Sequence, residues 1–336
     1  MKWRSIARTT GKICIYVSGI LTAVFAASTL VSAWWMVRPN RKKDYDCIGP
    51  IRFGKLQPVS LMTSDGIHLH AWVQLSPKAA SDRWALLLHG YRSDRDVLQT
   101  RRRFFVRRGY HTLLLHFRGH GSSEATRISY GFNERKDVRA AMEFIRSLHP
   151  GQPVEIGIDG VSMGAAAAAY AVAYESVNPD WVILESCYNN IHQALANRLE
   201  QHLLHPFVPI IARPLEFVGE HVFGLPMEDL NPTKALEKIH CPVLVLAGDS
   251  EEILRAEDVE HLFKSIPPPK RLVFFPGAAH EDLLLHDPRR FIKAVKSFLS
   301  EFSPTQSPNA QLPAAPLACK DSKTPDMGRE AFGAIP

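Results

Sequence analysis

The sequence predicts an α/β fold, with a mainly parallel central sheet flanked by helices, an inserted helical cap and one long apolar helix ahead of the body. Three observations carry this. Short apolar runs alternate with helical stretches between residues 67 and 302. A Gly-x-Ser-x-Gly turn joins one such run to an alanine-rich helix. Residues 13–37 form an uncharged stretch of 25 residues, Ile13 to Val37.

That stretch comes first in the chain. A helix needs about 20 apolar residues to cross a bilayer with its backbone satisfied internally. Trp34 and Trp35 close the run where aromatic side chains favour the interface. We therefore expect a transmembrane anchor over 13–37, after a basic flank at 1–12. A cleaved signal peptide is the rival, since Val31-Ser32-Ala33 suits cleavage, but its apolar region is usually shorter. The 336-residue chain carries a net charge of +6, and residues 1–43 hold eight basic side chains and no acidic one. The remainder has 32 basic and 34 acidic residues, so the basic excess belongs to the flanks of this helix. It points to a lipid bilayer as partner and away from nucleic acid. Four basic residues on each side leave the orientation nearly balanced, with translocation of the body slightly favoured.

A linker is expected at 38–54 and the main domain at 55–302. Ile67 to Leu75 alternates apolar and polar after the Ser64-Asp65-Gly66 turn, as a half-buried strand does. Compact apolar runs at Trp84–Leu88, Thr112–Leu115, Val154–Ile158, Val182–Leu184, Val243–Leu246 and Leu272–Phe275 suit strands covered on both faces. Helical stretches fall between most of them, at Val97–Arg108, Glu134–Leu148, Met163–Glu175, Ala256–Ser265 and Pro288–Phe302. This alternation implies parallel crossovers. Residues 187–236 are too long for a plain connection and carry several prolines, as an inserted helical cap would. Residues 303–336 are rich in Pro, Ala and Ser with little periodicity and are expected to be a disordered tail.

Gly160-Val161-Ser162-Met163-Gly164 follows an apolar run and opens the helix beginning at Met163. Small residues there permit a tight turn that lifts a serine oxygen above the sheet at a helix N-terminus. His89-Gly90-Tyr91 ends an earlier strand, so the backbone N–H groups of Tyr91 and Met163 are candidates for an oxyanion hole. Gly248-Asp249-Ser250-Glu251-Glu252 ends a late strand and offers three candidate acids. His280, after Pro276-Gly277-Ala278-Ala279, is the candidate base, with His286 its one rival. Serine, acid and histidine thus occur in the order in which they converge at the ends of parallel strands.

With these motifs in place, the chain resembles the α/β-hydrolase-fold serine hydrolases, in the peptidase-like and esterase-like branch that has membrane-anchored members. His89-Gly90, Arg118-Gly119-His120-Gly121-Ser122-Ser123, Gly160 to Gly164, Gly248 to Glu251 and Gly277 to His280 follow the family order. The resemblance implies Ser162 as nucleophile and His280 as general base. The family acid, usually Asp, lies three residues after the glycine, which points to Glu251 with Asp249 and Glu252 in reserve. Where the family often has Asp two residues before Arg118, this chain has His116, which implies a structural His116 and altered contacts for Arg118.

The expected activity is hydrolysis of an ester, thioester or amide through an acyl-enzyme. The alternatives are acyl transfer by the same fold and a non-catalytic binding or scaffold module. No cofactor is implied, and no tight metal-ligand spacing occurs among the 15 histidines and five cysteines. Arg101, Arg102 and Arg103, with Arg107 and Arg108, spread around a helix as a solvated surface, a membrane-facing cluster being the alternative. The cap residues Leu203, Leu204, Phe207, Val208, Ile210 and Ile211 are expected to form the cap's own core, with an acyl pocket or lipid contact as a second possibility.

Overall fold

The computed structural model of the chain describes residues 2–41, 54–77 and 82–303. All of the tail expected at 303–336 but its first residue, and most of the expected linker, lie outside these residues. Eight strands form one sheet: β1 (Leu56–Met62), β2 (His68–Gln74), β3 (Arg83–Leu88), β4 (His111–Leu115), β5 (Glu155–Val161), β6 (Trp181–Glu185), β7 (Val243–Gly248) and β8 (Lys270–Phe275). Their spatial order is β1-β2-β4-β3-β5-β6-β7-β8. The first two are antiparallel to their neighbours, and from β4 to β8 every pairing is parallel. This is the α/β-hydrolase fold.

Both faces of the sheet are covered, which is why the inner strands read as continuous apolar runs. On β3, Leu86 and Leu88 enter one core while Ala85 and Leu87 enter the other, as the two-residue strand period requires. The first core packs beneath α3 (Arg135–Ser147) and α4 (Met163–Tyr174). The second is closed by Phe104 and Phe105 of α2 (Gln99–Val106) and by Phe291, Val295 and Phe298. Those last three lie at i, i+4 and i+7 of the final helix, Pro288–Phe302, and make its buried stripe.

The long first helix, α1 (Lys2–Val37), contains the apolar segment Ile13–Val37, of mean hydropathy 2.0. Its length and composition suit a membrane anchor and a signal sequence alike. The segment is exposed over most of its length. Near its end Thr29, Ala33 and Val37, one face at four-residue spacing, are buried. The expected linker does not begin as a free one. Asn40–Arg41 pairs in parallel with His120–Gly121, and the Ile128 N–H donates to the Val37 carbonyl at 2.8 Å.

The connection from β6 to β7 holds three helices, α5 (Ile191–Glu200), α6 (Val208–His221) and α7 (Pro232–Leu236). Helix α6 packs on both α5 and α1. Of the apolar residues expected to form a core here, Val208 is buried, whereas Leu204, Phe207 and Ile210 are exposed. Their spacing explains this correction: Val208, Ala212, Leu215 and Gly219 make the buried stripe of α6, and Phe207 and Ile210 lie off it.

Candidate active site

Strand register places the site. Leu88 stands opposite Gly160, Val161 opposite Glu185, and Gly248 opposite Phe275. The loops leaving β3, β5, β7 and β8 therefore emerge along one edge, the carboxyl ends of the parallel strands, where open α/β sheets bind ligands.

Ser162 sits between β5 and α4 with φ 54° and ψ −115°, in a region that side-chain-bearing residues rarely adopt. Crowding forces this turn to use glycine on both sides. A Cβ on Gly160 would lie 2.7 Å from the Gly164 backbone, and one on Gly164 would lie 2.6 Å from the Leu88 carbonyl oxygen. The Ser162 N–H donates to the Glu185 carbonyl at 2.8 Å, pinning the turn to the end of β6.

His280, in the loop after β8, brings Nε2 to 3.1 Å from Ser162 Oγ. Its Nδ1 lies 3.0 Å from Glu251 Oε2, so with the proton on Nδ1 the imidazole can accept from the serine. Glu251 is buried, and its Oε1 accepts from the Ser186 hydroxyl and from the Gly248 N–H at 3.2 Å. The two reserve acids are not brought to the histidine. Asp249 is exposed and accepts from the Gly277 N–H at 2.7 Å, and Glu252 is exposed. His286 is turned away, with Nε2 on the Pro276 carbonyl and Nδ1 beside Glu281.

Gly90 flanks the serine: a Cβ placed on it would be 3.5 Å from Ser162 Cβ. Tyr91 follows Gly90, and Met163 follows Ser162 at the start of α4. The first N–H groups of a helix have no partner within it and favour negative charge. Serine, imidazole and carboxylate so arranged can together run nucleophilic acyl chemistry.

Beneath the site lies a group the sequence did not suggest. Arg101, expected on a solvated surface, is fully buried. Its guanidinium reaches Asp159 on β5 at 3.2 Å, Glu185 at the end of β6 at 2.5 Å and Asp282, two residues after His280, at 3.2 Å. Burial works against its charge, but the carboxylates of Glu185, Asp159 and Asp282 outweigh that and hold it charged. Burial pushes the Glu185 carboxyl up to about 7, against the pull of Arg101. A signal was available: residues three before and three and four after Arg101 are Leu98, Phe104 and Phe105, so it lies on the apolar face of its helix. Ser186 left no such signal. Arg118, whose contacts were expected to depart from the family's, pairs with Asp137 at 2.7 Å and Asp65 at 2.8 Å. His116 is buried, and burial depresses its pKa far below the usual histidine range.

Residues 80–218 match the family model described as serine aminopeptidase, S33. That span includes Ser162 and Tyr91 and ends before Glu251 and His280. The Mycobacterium tuberculosis protein Rv2307c is 27% identical over 243 residues, covering 72% of this chain and 79% of the relative. The Arabidopsis thaliana alpha/beta hydrolase domain-containing protein WAV2 is 25% identical over 303 residues, covering 86% and 92%. Among solved structures, the Pyrococcus furiosus esterase Pf2001 superimposes with a TM-score of 0.63 at 21% identity, over 78% of this chain and 100% of that one. The fold is that of the α/β hydrolases. Within it, the chain is similar to the serine aminopeptidase family through the segment that carries the nucleophile turn.

Proposed function

We propose that the protein is a membrane-anchored serine hydrolase that cleaves an ester, thioester or amide through an acyl-enzyme on Ser162. The observation that carries this is the continuous chain from Ser162 Oγ through the His280 ring to Glu251, at 3.1 Å and 3.0 Å. His280 takes the serine proton as the oxygen attacks the carbonyl, then gives it to the leaving group. Glu251 holds the tautomer and stabilises the imidazolium. The N–H groups of Tyr91 and Met163 receive the negative charge that develops on the carbonyl oxygen. Water then attacks the acyl-enzyme, with His280 again as base.

The uncharged segment 13–37 serves as the anchor, with its basic flanks at the lipid headgroups. The exposed cap residues Leu204, Phe207 and Ile210 match an acyl chain in chemistry. The test is a fluorophosphonate probe on the full chain in detergent, followed by Ser162→Ala. Labelling of the parent at Ser162 is expected, as is a loss of about three to six orders of magnitude in ester hydrolysis in the variant. Retention of most activity by Ser162→Ala overturns the assignment.

A further inference from the structure

The segment that joins α1 to the body is built into the loop beside the nucleophile. The Tyr91 hydroxyl donates to the Met36 carbonyl at 2.6 Å, and its ring stacks on Tyr130 with centroids 5.1 Å apart. The next residue, Arg92, has φ 52°, a left-handed conformation that a side-chain-bearing residue keeps only when its surroundings hold it there. Both sides of Arg92 are held. Its N–H donates to His120 Nε2 at 3.2 Å, and its carbonyl accepts from Asn40 Nδ2 at 2.7 Å. Its guanidinium donates to the Trp35 carbonyl at 3.1 Å and lies 4.0 Å over the Trp35 ring. Asn40 is itself fixed, because its N–H donates to the Gly119 carbonyl at 2.7 Å.

We propose that residues 35–40 are positioning residues of the active site, which aim the Tyr91 N–H at the oxyanion by clamping the Tyr91 side chain and the Arg92 backbone. An oxyanion donor works only when it is already oriented where the charge will form, and small misplacements of such groups cost rate. The clamp supplies that orientation from outside the hydrolase body, through Trp35, Met36 and Asn40. It does not depend on whether α1 stays in a membrane, since cleavage after Ala33 would leave all three residues on the protein. It does rest on the proposed acyl-enzyme function.

The experiment uses the full chain in detergent, with active sites counted by a fluorophosphonate and rates measured on a p-nitrophenyl ester. Tyr91→Phe keeps the ring and the backbone N–H but loses the bond to Met36, and Asn40→Ala loses the bond to the Arg92 carbonyl. Each is expected to lower kcat per titrated site by about three- to tenfold, the worth of one hydrogen bond, with KM held within about twofold. Val31→Ala, on the exposed face of α1, is expected to change neither. Values of kcat per titrated site within about twofold of the parent in both clamp variants overturn the inference, as does an equal fall in Val31→Ala. A parent that neither labels nor hydrolyses overturns the proposed function and the clamp with it. An active parent with indifferent variants overturns the clamp alone.

Discussion

Replacing Arg101 by Met removes one charge and leaves three carboxylates, two of them, Asp159 and Glu185, with no solvent exposure. At an effective dielectric of about 20, a unit pair at about 3.2 Å attracts with roughly 5 kcal/mol, most of which is offset by the cost of burial. Deleting one partner keeps the burial cost and forfeits the attraction, so the expected loss is about 3–5 kcal/mol near neutral pH. The loss should also depend on pH, and the sign follows from linkage. With Arg101 gone, burial and the neighbouring carboxylates Asp282 and Asp159 all act on Glu185 in one direction, and its folded pKa rises further above the unfolded value. The folded variant then binds more protons than the unfolded chain, so its stability falls as pH rises through that window. One such carboxyl changes stability by about 1.4 kcal/mol per pH unit over the interval in which only the folded state holds the proton. Urea denaturation of parent and Arg101→Met at about pH 8 and about pH 5.5 measures this, with the larger gap expected at the higher pH. A gap below about 0.5 kcal/mol at both values is what a solvated arginine would give, and it would refute the buried network.

Glu251→Gln should lower kcat by about two to four orders of magnitude, while Asp249→Asn and Glu252→Gln stay within about twofold. A large loss in either of the latter would reassign the acid. Ser186→Ala, which removes one of the two donors to Glu251 Oε1, should cost about three- to tenfold in kcat, and no change would mean that the Gly248 N–H suffices. Burial lowers the pKa of His89 to about 3 and that of His111 to about 4. Their ring NMR signals should stay neutral as the pH falls well below the ordinary histidine range. Because the unfolded chain does take those protons, both sites make stability fall as pH drops below about 6.5. A midpoint at that ordinary value for either ring would refute their burial in neutral form. Phe207→Asp should lower kcat/KM for long-chain relative to short-chain esters by about three- to tenfold without lowering the thermal midpoint. An unchanged ratio would separate the cap from the acyl chain.

The strands most legible in the sequence were those buried on both faces, such as Trp84–Leu88, because nothing else packs a short unbroken apolar run. Strand β1 was not legible. Pro58, Gln57 and Ser60 interrupt its apolar pattern, which a strand at the sheet edge tolerates and an inner one does not. Ser162 and His280 were legible from short motifs at strand ends. Local sequence left three acids open, since only the path of the loop after β7 turns Glu251 inward and Asp249 outward. Arg101 misled through its immediate neighbours in sequence, Arg102 and Arg103, although the residues on its own face of the helix, Leu98, Phe104 and Phe105, are apolar. The clamp on Tyr91 joins residues some 50 positions apart and has no local signature.

The end of the last helix carries one more consequence. The Ser303 hydroxyl donates to Glu155 at 2.5 Å and accepts from Arg83 at 2.9 Å, and these two residues begin β5 and β3. The loops of the candidate site leave those same strands at their other ends. Ser303 therefore sits at the pole opposite Ser162. A reporter, purification handle or solid support attached directly after Ser303 should start from that far pole and leave the mouth of the candidate site clear.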